Sequence, residues 1–297
     1  MGISRRVALK ALVAAGGTTA ATALGGATSS AATLPTPRPD AVGLLYDATL
    51  CIGCKACVVA CADANNLTRD TGQIEWTGGR YQAPLDLNAN TKNIIKLYAD
   101  GNEQSFVKQQ CMHCVDPACV NACMLGALRK SEFGIVSYDP SFCVGCRYCE
   151  MACPFNVPKF EWSNAITPKI VKCELCRDRL AKGQEPACTE VCPRGAVIYG
   201  RREGLVKEAH RRLEANPDRY VPHVYGETEA GGTQVLYLSH VPFDKIGLPD
   251  YGPVPVPVPQ RSLQHTIYQG FVAPIALYGV LAAVMYRNRG SHEEEEQ

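Results

Sequence analysis

Sixteen cysteines constrain this chain more than any other feature, because all of them fall into four groups of four. The first group has the spacing C-x2-C-x2-C-x3-C, and the third has the same spacing followed directly by a proline. The second group widens one gap to four residues, and the fourth separates two cysteine pairs by eleven. The groups are Cys51, Cys54, Cys57 and Cys61; Cys111, Cys114, Cys119 and Cys123; Cys143, Cys146, Cys149 and Cys153; and Cys173, Cys176, Cys188 and Cys192.

Runs of this kind are typical of [4Fe–4S] cluster ligands. Three cysteines in a C-x2-C-x2-C loop wrap one cube, whereas the cysteine three residues later begins a helical turn and serves the neighbouring cluster. Four groups of four thiolates therefore predict four [4Fe–4S] clusters, held in pairs. Gly53 and Gly145 lie inside these loops, where we expect a side chain to crowd the cube and backbone N–H groups to reach its sulfurs.

Zinc sites and disulfides are the other uses of cysteine to consider. Zinc sites typically use C-x2-C pairs rather than runs of three. Disulfides suit an exported chain with an even number of cysteines. However, cysteines two residues apart, in threes, are poor partners for one another. The competing function is then a cysteine-stapled interaction module with a membrane tether, which iron and acid-labile sulfide analysis separates from an iron–sulfur protein.

Short strand-like segments accompany the cysteine groups. One covers 43–47 before the first group, a hairpin covers 126–138 with its turn near Gly134, and another strand covers 195–200. A cysteine run, a strand pair and a second cysteine run form the pattern of a two-cluster ferredoxin, here present twice. The predicted fold class is α+β, with two interleaved bacterial-type two-cluster ferredoxin units and insertions over residues 43–200.

The segments that follow the clusters read as an extension and a linker. Residues 201–252 are expected to pack on the ferredoxin domain, with a helix over 203–216 and a strand over 235–238. A further strand is expected over 93–98, in the insertion after the first group. Alternating proline and valine predict a stiff polyproline II spacer at 253–259, within a linker over 253–265.

The first 32 residues resemble an export signal. Arg5 and Arg6 precede a mildly apolar stretch and a small-residue cleavage site, which predicts a twin-arginine signal peptide over 1–32. That route carries folded proteins, which suits clusters assembled in the cytoplasm. The alternatives are an ordinary secretory signal and an uncleaved anchor.

Residues 266–286 form a segment of 21 residues without a charge, which predicts one C-terminal transmembrane helix. A buried helix is the alternative. Arg287 and Arg289 follow, so that 287–297 is predicted as a cytoplasmic tail. The cluster domain is then expected at the periplasmic face of the bacterial inner membrane.

Composition and motifs narrow the function further. The charge is nearly balanced, with 30 Lys+Arg against 29 Asp+Glu, and gives no reason to expect a nucleic-acid partner. No phosphate-binding glycine loop, nucleotide fingerprint or hydrolytic constellation is evident in the sequence. We therefore predict an electron-transfer subunit with no catalytic residue of its own.

The four groups, in this order and with these gaps, resemble the ferredoxin-type four-cluster subunits of membrane-bound oxidoreductases. These include formate dehydrogenases, dimethyl sulfoxide reductase and [NiFe]-hydrogenases of the hydrogenase 2 type. The likeness runs from about Gly43 to the end of the apolar C-terminal segment. It is carried by LLYDATLCIGCKACVVAC, KQQCMHCVDPACV, GCRYCEMACPFNVPK, KCELC and YGETEAGGTQVLYL. Met124 departs from the proline that other members often carry after the second group.

The resemblance implies that the first group pairs with the fourth, and the second with the third. The implied ligand sets are Cys51, Cys54, Cys57 and Cys192 for cluster 1; Cys61, Cys173, Cys176 and Cys188 for cluster 2; Cys111, Cys114, Cys119 and Cys153 for cluster 3; and Cys123, Cys143, Cys146 and Cys149 for cluster 4.

The resemblance also implies partners. Electrons would pass from the small and large subunits of a periplasmic [NiFe]-hydrogenase to an integral membrane quinone-reducing subunit. The alternative is the same role beside a molybdopterin oxidoreductase such as formate dehydrogenase. Nickel in the purified complex would support the first assignment, and molybdenum or tungsten the second.

Several polar residues lie next to the cysteines. His113 is expected near a cluster or facing solvent rather than as a ligand. Lys55, Arg147 and Lys172 could favour the reduced form of a cube, since each flanks a cysteine. Most of these cations are nevertheless expected to be ordinary surface groups.

Overall fold

The computed structural model describes residues 35–69, 84, 86–164, 168–259 and 272–292. Its strands are β1 (Val42–Asp47), β2 (Asn93–Asp100), β3 (Glu103–Gln110), β4 (Leu128–Lys130), β5 (Val136–Tyr138), β6 (Lys159–Phe160), β7 (Ile170–Val171), β8 (Val197–Arg201) and β9 (Val235–Leu238). Its helices are α1 (Ala56–Ala64), α2 (Ala118–Asn121), α3 (Tyr148–Ala152), α4 (Arg177–Leu180), α5 (Ala187–Glu190), α6 (Arg202–Ala215) and α7 (Val272–His292).

Strand β1 is the centre of a three-stranded sheet. It pairs antiparallel with β8 and parallel with β9, and all six of its residues are buried. Successive side chains of a strand point to opposite faces. Leu44 and Tyr46 accordingly lie in the core that contains cysteines, while Leu45 lies in a second core on the other face. The strands predicted at 43–47, 195–200 and 235–238 are confirmed, with small shifts of their ends.

Helix α6 covers the face of the sheet turned away from the cysteines. Leu205 and Ala209, four residues apart, are buried against Leu45, because residues at this spacing share one side of a helix. The helix ends before Asn216 and Pro217. The predicted helix over 203–216 is therefore confirmed.

Asp47 ties the end of β1, just before the first cysteine group, to this helix. Its carboxylate is completely buried. One oxygen accepts hydrogen bonds from the Thr49 amide at 3.0 Å and the Thr49 hydroxyl at 2.6 Å. The other accepts from the Tyr220 hydroxyl at 2.9 Å and from Arg212 at 3.1 Å. This carboxylate thus fixes where the chain enters the loop of Cys51.

We expect Asp47→Ala to be strongly destabilising, by about 3–5 kcal/mol, because Arg212 keeps only Glu208 as a partner and the donors of Thr49 and Tyr220 lose their acceptor. Tyr220→Phe is the milder comparison, since it removes one hydrogen bond worth about 1 kcal/mol. Denaturant unfolding of the cluster-loaded protein measures both changes. An equal loss of unfolding free energy in the two variants would show that the ion pair between Asp47 and Arg212 contributes nothing to stability.

Three hairpins complete the described strands. Strands β2 and β3 pair over eight residues, β4 pairs with β5, and β6 pairs with β7. The strand predicted at 93–98 and the hairpin predicted at 126–138 are confirmed. Two tyrosines of the central sheet hold β3 in place: the Tyr46 hydroxyl donates to the Phe106 carbonyl at 2.8 Å, and the Tyr237 hydroxyl to the Lys108 carbonyl at 2.7 Å.

The polyproline II conformation predicted at 253–259 is wrong for the second half of that segment. Residues 257–259 form a helical turn, and the Val258 amide donates to the Pro255 carbonyl at 3.1 Å. Pro255 packs so closely on Gly231 that a Cβ there would lie 2.3 Å from its ring. The chain makes this tertiary contact just before it leaves the extended conformation that alternating prolines favour.

The C-terminal helix α7 begins at Val272, six residues after the start of the predicted membrane segment. Residues 260–271 lie outside the described residues, as do the predicted signal peptide at 1–32 and the acidic tail at 293–297. Within the described ranges, no helix combines the length and the apolar character needed to cross a membrane.

Candidate iron–sulfur centres

Short helices that follow the cysteine loops pack in pairs. Helix α1 carries Cys57 and Cys61, and it packs against α5, which carries Cys188. Helix α2 carries Cys119 and packs against α3, which carries Cys149. The first cysteine group therefore lies beside the fourth, and the second beside the third.

Within each pair the thiols gather into sets that mix two groups. Set 1 lines one cavity and consists of Cys51, Cys54, Cys57 and Cys192. Set 4 lines another cavity and consists of Cys123, Cys143, Cys146 and Cys149. Set 2 consists of the four cysteines that the resemblance implies, Cys61, Cys173, Cys176 and Cys188; Cys61 has Cys173 and Cys176 as electrostatic neighbours, and Cys188 has Cys61 and Cys173 as well as Cys57 of set 1. Set 3, defined by electrostatic neighbours, consists of Cys111, Cys114, Cys119 and Cys153.

The four sets follow one another in order through the domain. Cys188 of set 2 has Cys57 of set 1 as an electrostatic neighbour. Cys173 of set 2 has Cys111 of set 3 as such a neighbour. Sets 3 and 4 are joined in the same way by Cys119 and Cys149. The two exposed cysteines are Cys54 in set 1 and Cys146 in set 4, so both ends of the series reach the surface.

Burial dominates the chemistry of these thiols. Burial first, and then the neighbouring thiols of Cys173 and Cys176, raise the pKa of Cys61 to about 12. Burial likewise raises the pKa of Cys119, Cys149 and Cys188 to about 12. Since thiolates are the iron ligands, metal binding must displace protons from these side chains.

The residue before the second cysteine of each group has a left-handed backbone conformation. This conformation turns its amide toward the first cysteine, as for the Leu175 amide, which lies 3.3 Å from Cys173 Sγ. Sequence reasoning identified the two glycines but missed the other two positions, because His113 and Leu175 carry side chains. The φ angles are 67° at Gly53, 49° at His113, 72° at Gly145 and 52° at Leu175.

His113 is completely buried, so the expectation that it could face solvent is wrong. Its Nδ1 accepts a hydrogen bond from the Val136 amide at 3.1 Å. Burial, followed by the charges of Lys172 and Lys130, holds its pKa well below the usual range. The imidazole is therefore neutral and anchors β5 to the second cysteine group.

Gly53 is required for a reason that the sequence did not reveal. A Cβ at Gly53 would lie 2.3 Å from the ring of Phe106, which packs over the loop from β3. We expect Gly53→Ala to combine left-handed strain of about 1–2 kcal/mol with overpacking of about 1–3 kcal/mol. The unfolding midpoint and the iron content of the purified variant measure the loss.

Gly101→Ala is the matched control for Gly53→Ala. Gly101 has a similar φ of 56°, but a Cβ there would meet nothing within 4 Å. The Gly101→Ala variant should therefore lose only the stability that corresponds to the backbone strain, and it should retain its full iron content. If both variants lost the same stability and the same iron, the contact with Phe106 could not explain the effect of Gly53→Ala.

Two buried lysines lie among the thiols. Lys108 lines the cavity of set 1, is 1 % exposed, and its ammonium has no hydrogen-bond partner among the described residues. Lys172 is 2 % exposed and donates to the carbonyls of Val136 and Cys173. Lys172 is the exception to the expectation that most of the flanking cations are surface groups, and Lys108 was not identified from the sequence.

Lys130 and Arg147 are two further cations near the thiols. Lys130 donates to Gln234 Oε1 at 3.0 Å and to the carbonyls of His113 and Cys114; burial lowers its pKa to about 8, against the opposing effect of nearby thiols. Arg147 stacks its guanidinium over Trp162, 4.6 Å from the ring centre.

The donor chemistry fits [4Fe–4S] clusters. Each set offers four thiols, one for each iron of a cube. A buried cation without a hydrogen-bond partner is costly unless an anionic group compensates it. A cube bound by four thiolates is such a group, and Cys51, Cys54, Cys57 and Cys192 would hold it in the cavity that Lys108 also lines. In the described part of the chain, no three His, Cys, Asp or Glu side chains converge as ligands of a single metal ion do.

Ferredoxin-like strands and helices around sixteen grouped thiols define an iron–sulfur protein that binds multiple [4Fe–4S] clusters. Residues 102–202 match the family described as "4Fe-4S dicluster domain". The "Hydrogenase-2 operon protein HybA" of Escherichia coli O157:H7 is 41 % identical over 288 residues, which cover 85 % of this chain and 86 % of that protein. The chain belongs to the same family of iron–sulfur proteins.

Formate dehydrogenase subunits are members of this family too. The "Formate dehydrogenase, nitrate-inducible, iron-sulfur subunit" of Escherichia coli K12 is 34 % identical over 251 residues, covering 81 % of each chain. The "Formate dehydrogenase-O iron-sulfur subunit" of the same organism is 36 % identical over 263 residues, covering 83 % of each.

Proposed function

We propose that this chain is the electron-transfer subunit of a membrane-bound [NiFe]-hydrogenase and holds four [4Fe–4S] clusters in sets 1 to 4. The observation that carries the proposal is the unbroken succession of four thiol sets, with an exposed cysteine at each end. Bound clusters supply one-electron redox chemistry. The protein supplies their order, their shielding from water and two exposed ends where partners can dock.

The hydrogenase partner is supported by the relative named after the hydrogenase-2 operon, which aligns with most of this chain. In the proposed complex, the small and large hydrogenase subunits deliver electrons at the periplasmic face. An integral membrane quinone-reducing subunit accepts them. The chain itself makes and breaks no substrate bond.

Export and anchoring belong to the same proposal. The twin-arginine sequence at 5–6 carries the loaded protein to the periplasm, and the apolar segment 266–286 anchors it in the inner membrane. Replacing Arg5 and Arg6 by lysine should abolish export, and truncation before Thr266 should release the isolated chain from membranes. Undiminished export of the lysine variant would contradict the twin-arginine signal. Continued membrane binding of the truncated chain would contradict the C-terminal anchor.

Metal analysis of the complex purified through this chain tests the partner. Nickel in stoichiometric amount is the expected result. Molybdenum or tungsten without nickel would instead support a molybdopterin oxidoreductase such as formate dehydrogenase, a second candidate favoured by relatives of 34 % and 36 % identity. Iron measured in the same sample shows whether the chain was loaded with clusters.

A further inference from the structure

Lys108 occupies a position that a lysine rarely takes. It lies on β3, opposite Ile95 of β2, and is 1 % exposed. Its backbone carbonyl accepts the Tyr237 hydroxyl at 2.7 Å, from a side chain of the central sheet that is itself buried. The ammonium group is therefore carried on a rigid strand.

The surroundings of this ammonium group are made of thiols from two different sets. Its electrostatic neighbours are Cys57 of set 1 together with Cys61, Cys173 and Cys188 of set 2. It also lines the cavity of set 1 beside Cys51 and Cys192. Lys108 thus faces thiols of both members of the first pair of sets, whereas Lys55 and Arg194 line the cavity of set 1 and Lys92 and Arg179 neighbour Cys176 of set 2.

Lys172 and Lys130, two further lysines near the thiols, use their ammonium groups as hydrogen-bond donors. Lys172 donates to the Val136 and Cys173 carbonyls, and Lys130 to Gln234 and two carbonyls of the second cysteine group. Those bonds hold loops in place. Lys108 makes no such bond to the described residues, so its charge is directed at the thiols themselves.

The consequence of such a charge follows from electrostatics. Reduction adds one negative charge to a cluster, and a nearby fixed cation favours the more negative form. Charge, hydrogen bonding and burial are the means by which a protein adjusts cluster potentials. In a buried site this effect is screened far less than at a surface.

Resting on the proposed function, we propose that Lys108 is the residue that raises the reduction potentials of clusters 1 and 2 together. One cation between two clusters shifts both in the same direction. It therefore raises both potentials relative to those of clusters 3 and 4, whose thiols are not among its electrostatic neighbours. Lys108 acts on the clusters through space and is not an iron ligand.

A redox titration of the full-length loaded protein, followed by electron paramagnetic resonance, tests the proposal. In Lys108→Met, the reduction potentials of two clusters should fall. At a fixed applied potential, the ratio of reduced to oxidised cluster should decrease at least tenfold, which corresponds to about 59 mV for a one-electron couple. Lys108→Arg retains the charge and should show a much smaller shift. A structural role alone would not produce this charge dependence.

Several results would overturn the proposal. These are unchanged potentials in Lys108→Met, a single shifted cluster, a uniform shift of all clusters, or equal shifts in the Met and Arg variants. If the Met variant fails to load iron, Lys108→Gln provides the neutral variant. Failure of both neutral variants to load, with normal loading of Lys108→Arg, would also overturn it and assign the charge to cluster assembly. Too little iron in the wild-type chain would instead contradict the proposed function.

Discussion

Replacing Cys153 by alanine is expected to remove the cluster of the second cysteine group rather than that of its own group. Cys153 is an electrostatic neighbour of Cys111, Cys114 and Cys119. Cys146, seven residues earlier in the same run, lies instead in the cavity of set 4. The loss of one intact [4Fe–4S] cluster, counted by Mössbauer spectroscopy, is the expected effect of each single substitution.

Double variants make this prediction decisive. If Cys111 and Cys153 serve the same cluster, Cys111→Ala with Cys153→Ala should lose no more clusters than either change alone. Cys146→Ala with Cys153→Ala should lose two, although both residues belong to one run. The reverse pattern would mean that each run holds its own cluster, and it would contradict the exchange of ligands between groups.

Removal of iron is expected to abolish the cooperative fold of the ferredoxin domain. Cysteines form part of all three cores that lie around the clusters. Without the anionic clusters, Lys108 is left as a buried charge with no hydrogen-bond partner among the described residues, which costs about 3–5 kcal/mol. This cost is a large part of the stability of a typical domain, about 5–15 kcal/mol.

The measurement is near-ultraviolet circular dichroism with thermal unfolding, before and after anaerobic chelation under reducing conditions. We expect the chelated chain to lose its near-ultraviolet signal and its cooperative transition. Lys108→Met, which removes one of the buried charges, should retain more structure after chelation than the wild type. A chelated wild-type chain that melts within a few degrees of the loaded protein would refute this prediction.

The cysteine spacing and the strands beside it could be predicted because local rules govern both. Three cysteines two residues apart form a loop around a cube, whatever the rest of the chain does. The continuous apolar run of β1 is typical of a strand buried on both faces. Helix α6 has apolar residues at helical spacing and ends before Asn216-Pro217, so its limits were predictable as well.

The features that the sequence did not reveal depend on contacts between distant segments. Lys108 is one of several polar residues in β3, and only its packing beside cysteines from distant segments makes it a buried cation among thiols. The clash that requires Gly53 comes from Phe106, more than fifty positions away. The chain turns into a helical conformation at 257–259, just after Pro255, which packs on Gly231.

Iron and acid-labile sulfide, counted per chain in the anaerobically purified full-length protein, test the central claim most directly. Four [4Fe–4S] clusters require about sixteen irons and about sixteen sulfides per chain. Fewer than about twelve irons, or iron without matching sulfide, would contradict the four-cluster account.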